Sequence, residues 1–185
     1  MSLISSTYFQ QIDILIPSEQ VDLSTLIARY EPEILKKLLG YELYDILNTY
    51  GSTGTGTARL DDLRDGKEYT LNGETVKWPG LINSEKRSLI AYYCYYKWLE
   101  ITITGVGSAG LFIADMENST KASHINNMMY AWSEMLRLYG YPKVYFDDLT
   151  DDPYKESAYN FLLANKSDYP EWTFEVLEPK NRFGI

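Results

Sequence analysis

One histidine, one cysteine and a few grouped carboxylates are the residues in this 185-residue chain that acid–base, nucleophilic or metal chemistry could draw on. His124 stands alone, so a two-histidine metal site cannot be built, and no cysteine lies near it in sequence. Acid–base work needs a positioned partner, and none is visible, so His124 reads as a polar helix residue. Cys94 sits inside a strongly apolar stretch without a cationic setting. It reads as a small buried hydrophobe rather than a reactive thiol. The run Asp147-Asp148-Leu149-Thr150-Asp151-Asp152 could hold calcium only with ligand spacing, a central glycine and a closing glutamate that it lacks; it reads as a solvated, helix-capping loop. Glu31 and Glu33 could pair as carboxylates, but nothing in the sequence puts them in a pocket.

Glycine spacing at Gly51-Ser52-Thr53-Gly54-Thr55-Gly56-Thr57 invites a phosphate-loop reading. Such a loop follows a strand, opens a helix and carries Lys-Ser/Thr after its last glycine. This one follows a helical pattern, with Ala58-Arg59 where the lysine is needed, so we read 51–66 as a flexible surface insertion. No serine carries a Gly-x-Ser-x-Gly elbow. The chain reads as a non-enzyme, with no cofactor and no metal.

Composition narrows the partners. With 26 Asp and Glu against 17 Lys and Arg, net charge −9, and basic residues no denser than Lys36-Lys37 and Lys86-Arg87, gripping DNA is disfavoured. An acidic surface would still let DNA pass without sticking. Residues 1–17 lack the basic start and apolar run of a secretory signal, and nothing approaches the ~20 apolar residues that cross a bilayer. A cytosolic setting is expected. At 45% hydrophobic residues the chain can build an ordinary core, burying roughly 70% of its unfolded surface.

The elements that must position these residues are mostly helices in one domain, 1–185. Ile12 to Ile16, stopped by Pro17, reads as an arm or short strand. Ser18 to Asp22 supply caps before a stripe of Leu23, Leu26, Tyr30, Ile34 and Leu38, crossed by Pro32; the helix is expected either to kink there or to meet a second helix at Glu31. Gly40 suits a C-terminal cap, with a short helix from Tyr41 to Tyr50 beyond. A hairpin is expected over 68–78, turning at Asn72-Gly73. Asn83 or Ser84 should cap a long helix whose body, Leu89 to Leu99, is apolar or aromatic on every face. Thr104 to Glu117 reads as a glycine-containing loop. Asn118 to Thr120 should start a helix to about Tyr139, capped by Gly140, with Ile125, Met128, Met129, Trp132, Met135 and Leu136 inward. Asp152-Pro153 should open a last helix through Ala164. Residues 169–185, rich in proline and aromatics, read as an extended arm. The fold class is mainly α: a helical bundle with one small β-hairpin, a protruding loop and a C-terminal arm.

Tyrosine is abundant at 17 residues, with 4 tryptophans. Aromatics gathered on an all-round apolar helix and on a trailing arm point to more apolar area than one copy can hide, and so to self-assembly. The rival reading is an aromatic-lined carbohydrate- or peptide-binding module.

Several segments then resemble one family in order along nearly the whole chain. Ile34-Leu35-Lys36-Lys37-Leu38-Leu39-Gly40-Tyr41-Glu42-Leu43-Tyr44 is similar to the leucine-rich helix, Leu-Gly and Leu-Tyr signature of tailed-phage head–tail connector (neck or adaptor) proteins. Trp78-Pro79-Gly80-Leu81 before a tyrosine-rich helix, Thr104-Gly105-Val106-Gly107 leading to Glu117-Asn118-Ser119, and the ending Asn181-Arg182-Phe183-Gly184-Ile185 resemble a phage- and prophage-borne branch of that group. The resemblance implies a helical bundle whose copies form a homo-oligomeric ring, commonly twelve-fold, between portal and tail-completion proteins, with DNA passing through. It implies a structural role in virion assembly, in the bacterial cytoplasm and then the virion neck. It maps Gly105 to Asp115 onto a protruding loop and Asn181 to Ile185 onto a C-terminal arm. The 51–65 insertion and the hairpin exceed the compact core of that family. For an assembling subunit the expected interface residues are Tyr92, Tyr93, Tyr96, Trp98, Gly105, Gly107, Leu111, Phe112, Trp172, Phe174, Asn181, Phe183 and Ile185.

Overall fold

A computed structural model of the chain describes residues 2–10, 14, 16, 22–53, 57–107, 110–113, 121–140 and 155–178; of these, the side chains at 51–53, 103–107, 110–113 and 121–124 are outside the description. A 3-10 turn, Ser6–Phe9, comes first, followed by α1 (Leu23–Thr53), α2 (Ala58–Asp65), β1 (Lys67–Leu71), β2 (Glu74–Trp78), α3 (Leu89–Ile103), β3 (Thr104–Gly107), β4 (Gly110–Ile113), α4 (Lys121–Tyr139) and α5 (Ala158–Ala164). The fold is mainly helical with a small antiparallel hairpin, as the periodicities predict.

Asp22 starts α1. Its carboxylate accepts from Ser24 N at 3.0 Å and from the Ser24 and Thr25 hydroxyls, each at 2.6 Å, which neutralises donors left open in the first turn. Pro32 does not break the helix. It removes one backbone donor, but the carbonyl it deprives belongs to exposed Ala28, where water can serve. The break falls at Gly40, with φ 76° and ψ 169°. The expected boundary at Glu31 is therefore corrected: the chain stays helical through the proline and turns where only glycine is at ease.

The helical ladder cannot run across Gly40, so the carbonyls just before it lose their partners. Residues 172–178, which form no regular element, supply replacements. Trp172 Nε1 donates to Leu38 O at 2.8 Å, Thr173 N to Leu39 O at 3.3 Å and Glu175 N to Lys37 O at 2.9 Å. The first part of the expected arm is thus a strap across the kink, and 179–185 lie outside the described residues.

The insertion expected to be irregular contains α2. Leu60 and Leu63, three apart, are buried, and the charged residues between them face outward or pair. The end of α2 is closed by Trp78-Pro79-Gly80-Leu81: Trp78 Nε1 and Leu81 N both donate to Leu63 O, at 3.0 and 3.3 Å, and Ile82 N to Arg64 O at 2.9 Å. A Cβ at Gly80 would stand 2.7 Å from Arg64 O, so the approach admits no side chain. β1 and β2 pair antiparallel, Tyr69 opposite Val76, and turn at Asn72-Gly73. Their buried face, Tyr69 and Trp78, packs on Phe161 of α5 at ring distances of 5.5 and 6.0 Å.

Two helix starts differ from expectation. α3 opens at Ser88 rather than Asn83 or Ser84: Ser88 Oγ accepts from Ile90 N at 3.2 Å and donates to Leu81 O at 2.6 Å. Asn83 instead clamps the Arg87 backbone, accepting from its N at 3.1 Å and donating to its O at 2.6 Å, which holds residues 83–87 in a loop. α5 begins after Ser157, whose hydroxyl accepts from Asn160 N at 3.3 Å; Asp152 and Pro153 lie outside the described residues. Within the expected loop after α3, β3 and β4 form a second antiparallel pair, Gly105 opposite Phe112 and Val106 opposite Leu111. α4 ends as expected, with Gly140 N donating to Leu136 O at 2.8 Å.

Candidate interaction surface

The aromatic helix α3 lies against α1, α4 and the 3-10 turn. Its residues from Leu89 to Tyr96 are all buried, Tyr92 at 1%, Tyr93 at 3% and Tyr96 at 4% exposure. The premise that this helix shows apolar faces a single copy cannot cover is thereby corrected for Tyr92, Tyr93 and Tyr96. Neighbouring elements of the same chain surround it, and a helix apolar all round is what a central helix requires.

At the α1–α3–α4 junction the rings are organised around a cation. Tyr93 Oη donates to Glu33 Oε1 at 2.6 Å, and Lys97 Nζ donates to Glu100 Oε2 at 2.9 Å. The Lys97 ammonium stands 6.0, 5.8 and 6.0 Å from the ring centres of Tyr30, Tyr93 and Tyr96. Trp132 of α4 closes the cluster against Tyr96, centres 4.9 Å apart. Burial, reinforced by the Glu33 carboxylate, pushes the Tyr93 hydroxyl well up; burial with the nearby Glu100 charge pushes Tyr96 up to about 12. Burial is the largest influence and works against the Lys97 charge, but the Glu100 bond together with the Glu100 and Glu33 charges outweighs it and the ammonium is held more firmly than usual. These groups form two hydrogen-bonded pairs set beside the aromatic packing. Cys94 beside them is buried, its thiol raised by burial and then by the Glu31 and Glu33 charges, in keeping with a packing role.

Exposed apolar area lies farther along the same helices. On α3, Trp98 stacks on Tyr95 at 5.6 Å and is half-buried, and Ile101, one turn on, is 50% exposed. On α4, Ile125 is 37% and Tyr130 42% exposed, with Met128 and Met129 half-buried between them. Tyr130 also packs edge-on against Tyr92, centres 6.2 Å apart, which ties it to the core. Ile101 belongs to the last turn of α3, which runs directly into β3, and Ile125 to the early part of α4. Of the expected contact residues, Trp98 belongs to this surface. Gly105 and Gly107 lie on β3, Leu111 and Phe112 on β4, as backbone positions. Sequence reasoning assigned Ile125 to the core and passed over Ile101 and Tyr130; no periodicity distinguishes the exposed end of a helix pair from its buried end.

The arm residues Trp172 and Phe174 are half-buried. Trp172 packs on Tyr159 and Phe174 at 5.6 and 6.0 Å, and Phe174 on Tyr139 at 4.9 Å. With the Trp172 indole committed to Leu38 O, these rings serve the strap. Asn181, Phe183 and Ile185, and the acidic run 147–152, lie outside the described residues; His124 lies in the first turn of α4.

A polar cleft of about 350 Å³ is lined by Asp65, Lys77, Pro79, Asn83, Ser84, Glu85 and Glu156. Asp65 is engaged there by Arg64 at 2.6 Å. Among the described residues no group of His, Cys, Asp or Glu is arranged to hold a metal ion, and no helix is long and apolar enough to cross a membrane. No family model matches this chain, no curated protein matches it, and no solved structure matches it.

Proposed function

We propose that this chain is a structural subunit of a phage-type head–tail connector ring, acting by self-assembly and by docking between a portal and a tail. The observation that carries the reading is the order of connector-like segments along nearly the whole sequence. Two of them do identifiable structural work: Leu39-Gly40 forms the kink that receives the strap, and Trp78-Pro79-Gly80-Leu81 closes α2.

The contact surface in this reading is the exposed apolar end of α3 and α4, Trp98, Ile101, Ile125 and Tyr130, with the adjoining β3–β4 pair. Aromatic and aliphatic side chains of this kind give contact area at low rotamer cost. The buried tyrosines support the surface from behind. Copies of the chain, portal and tail-completion proteins are the partners, and DNA passes an acidic chain of net charge −9 without specific grip. Assembly takes place in the host cytoplasm and ends in the virion neck.

Electron microscopy of the purified chain mixed with the portal and tail-completion proteins encoded beside it tests this. Closed rings of this chain seated on the portal are expected. A mixture in which the chain stays dispersed and the portal bare overturns the reading.

A further inference from the structure

The two antiparallel hairpins of this fold treat their edges in opposite ways. β1 and β2 carry Lys67, Glu68, Glu74 and Lys77, all exposed, and bury Tyr69 and Trp78 against Phe161 of α5. Exposed charge keeps a strand edge from recruiting another strand, and the helix supplies the layer that two strands lack. β3 and β4 have neither protection. From Ile101 to Ala114 the sequence holds no charged residue and no proline. The pair forms a sheet of its own, separate from β1 and β2, and packs mainly on α3, which β3 continues without a break.

The register sorts the positions of this pair. Thr104 stands opposite Ile113 and Val106 opposite Leu111, which puts these four positions on one face; Gly105, Gly107, Gly110 and Phe112 share the other. No position on either face is a charged residue. With two strands in the sheet, β3 and β4 each have one side that meets no other strand among the described residues. Each therefore leaves about half of its backbone N–H and C=O groups outside the ladder. Such an edge is complementary to another strand, and a two-stranded pair is only marginally stable until it gains further strands.

We propose that β3 and β4 pair edge to edge with the same elements of neighbouring copies, β3 of one copy beside β4 of the next. Hairpins set side by side in one orientation alternate in strand direction, so each new pairing is antiparallel, like the one inside each copy. A second copy is the occupant because the pair has two open edges, one on β3 and one on β4. A foreign strand would close one of them. A head-to-tail series of copies closes both, and leaves no free edge when the series becomes a ring. Continuity points the same way: β3 begins where α3 ends, one turn beyond exposed Ile101 of the apolar contact surface. This mode of contact rests on the assembly reading given above and names the bonds that join the copies.

Amide exchange read residue by residue, on the full chain dispersed and on rings assembled with the portal, tests the pairing. In the dispersed chain the hairpin can protect at most alternate amides of 104–107 and 110–113. In rings the intervening amides should slow by about tenfold, while those of β1 and β2 keep their dispersed rates. Rings whose intervening amides exchange as fast as in the dispersed chain overturn the edge pairing and leave the assembly reading standing. A mixture without rings overturns the assembly reading itself, and the pairing with it. Crosslinking checks the order of the strands. Val106→Cys and Leu111→Cys chains, mixed and oxidised during assembly, should give the mixed disulfide beyond its statistical share; Cys94 is buried and takes no part. A mixed fraction at or below that share overturns the head-to-tail order. Should either variant fail to assemble, the wild-type exchange rates decide alone.

Discussion

Thr173 occupies the space that a side chain on Gly40 would need, and its backbone N donates to Leu39 O at 3.3 Å across the same gap. The kink and the strap are therefore one feature. A helix interrupted at a positive-φ glycine leaves carbonyls open, and a segment more than a hundred residues later closes them. Two further ties fix the strap elsewhere: Tyr139 Oη donates to Glu175 O at 2.6 Å and Trp132 Nε1 to Glu178 O at 3.2 Å. The strap thus joins α1 to α4, the helix that carries Ile125 and Tyr130.

Gly40→Ala should destabilise the chain by about 2–4 kcal/mol, combining a left-handed backbone penalty with a clash against Thr173. Urea unfolding measures the loss. The double change Gly40→Ala with Thr173→Gly should recover the clash but keep the backbone part, so a full recovery would show that φ 76° carries no penalty.

Tyr93→Phe removes the hydroxyl that donates to Glu33, and should cost about 0.5–1.5 kcal/mol while leaving the ring packed. Tyr93→Asp places a second carboxylate beside Glu33 in a buried site and should prevent folding, a loss of several kcal/mol. Thermal unfolding separates these from an interface effect. A Tyr93→Asp chain with unchanged Tm would return this residue to the surface.

Hydrogen bonds from the Ser24 and then the Thr25 side chains hold the Asp22 carboxyl down at about 2, against an ordinary 3.8. A value lowered in the folded state gives stability that is present above 3.8 and lost as pH falls toward about 2. Asp22→Ala should therefore be less stable than wild type at neutral pH, and the gap should close in that acidic window. Unfolding midpoints across the pH series read it directly; a gap that persists at the acid end contradicts the cap.

Much of this architecture is legible in the residues. Asn72-Gly73 marked the hairpin, Gly140 the end of α4, and the positive φ of Gly40 explains why glycine stands there. Other parts were hidden by the way local signals compete. The charges of α2 masked its two leucines, and the glycines of 104–107 masked a strand whose partner is the apolar run Gly110 to Ile113. Asn83 has the chemistry of a cap but spends both ends of its amide on Arg87, leaving the role to Ser88. The largest misreading concerned α3. Apolarity on every face is equally compatible with a central helix and with an oligomer contact, and only the positions of α1 and α4 decide between them.

The double variant Ile101→Asp with Ile125→Asp tests the proposed contact surface most directly, because both side chains are exposed in the single chain. Ring formation on the portal, counted by electron microscopy beside a thermal unfolding curve, is the measurement. The connector account predicts a Tm close to wild type and a loss of rings. Rings that form undiminished from a folded variant would contradict it.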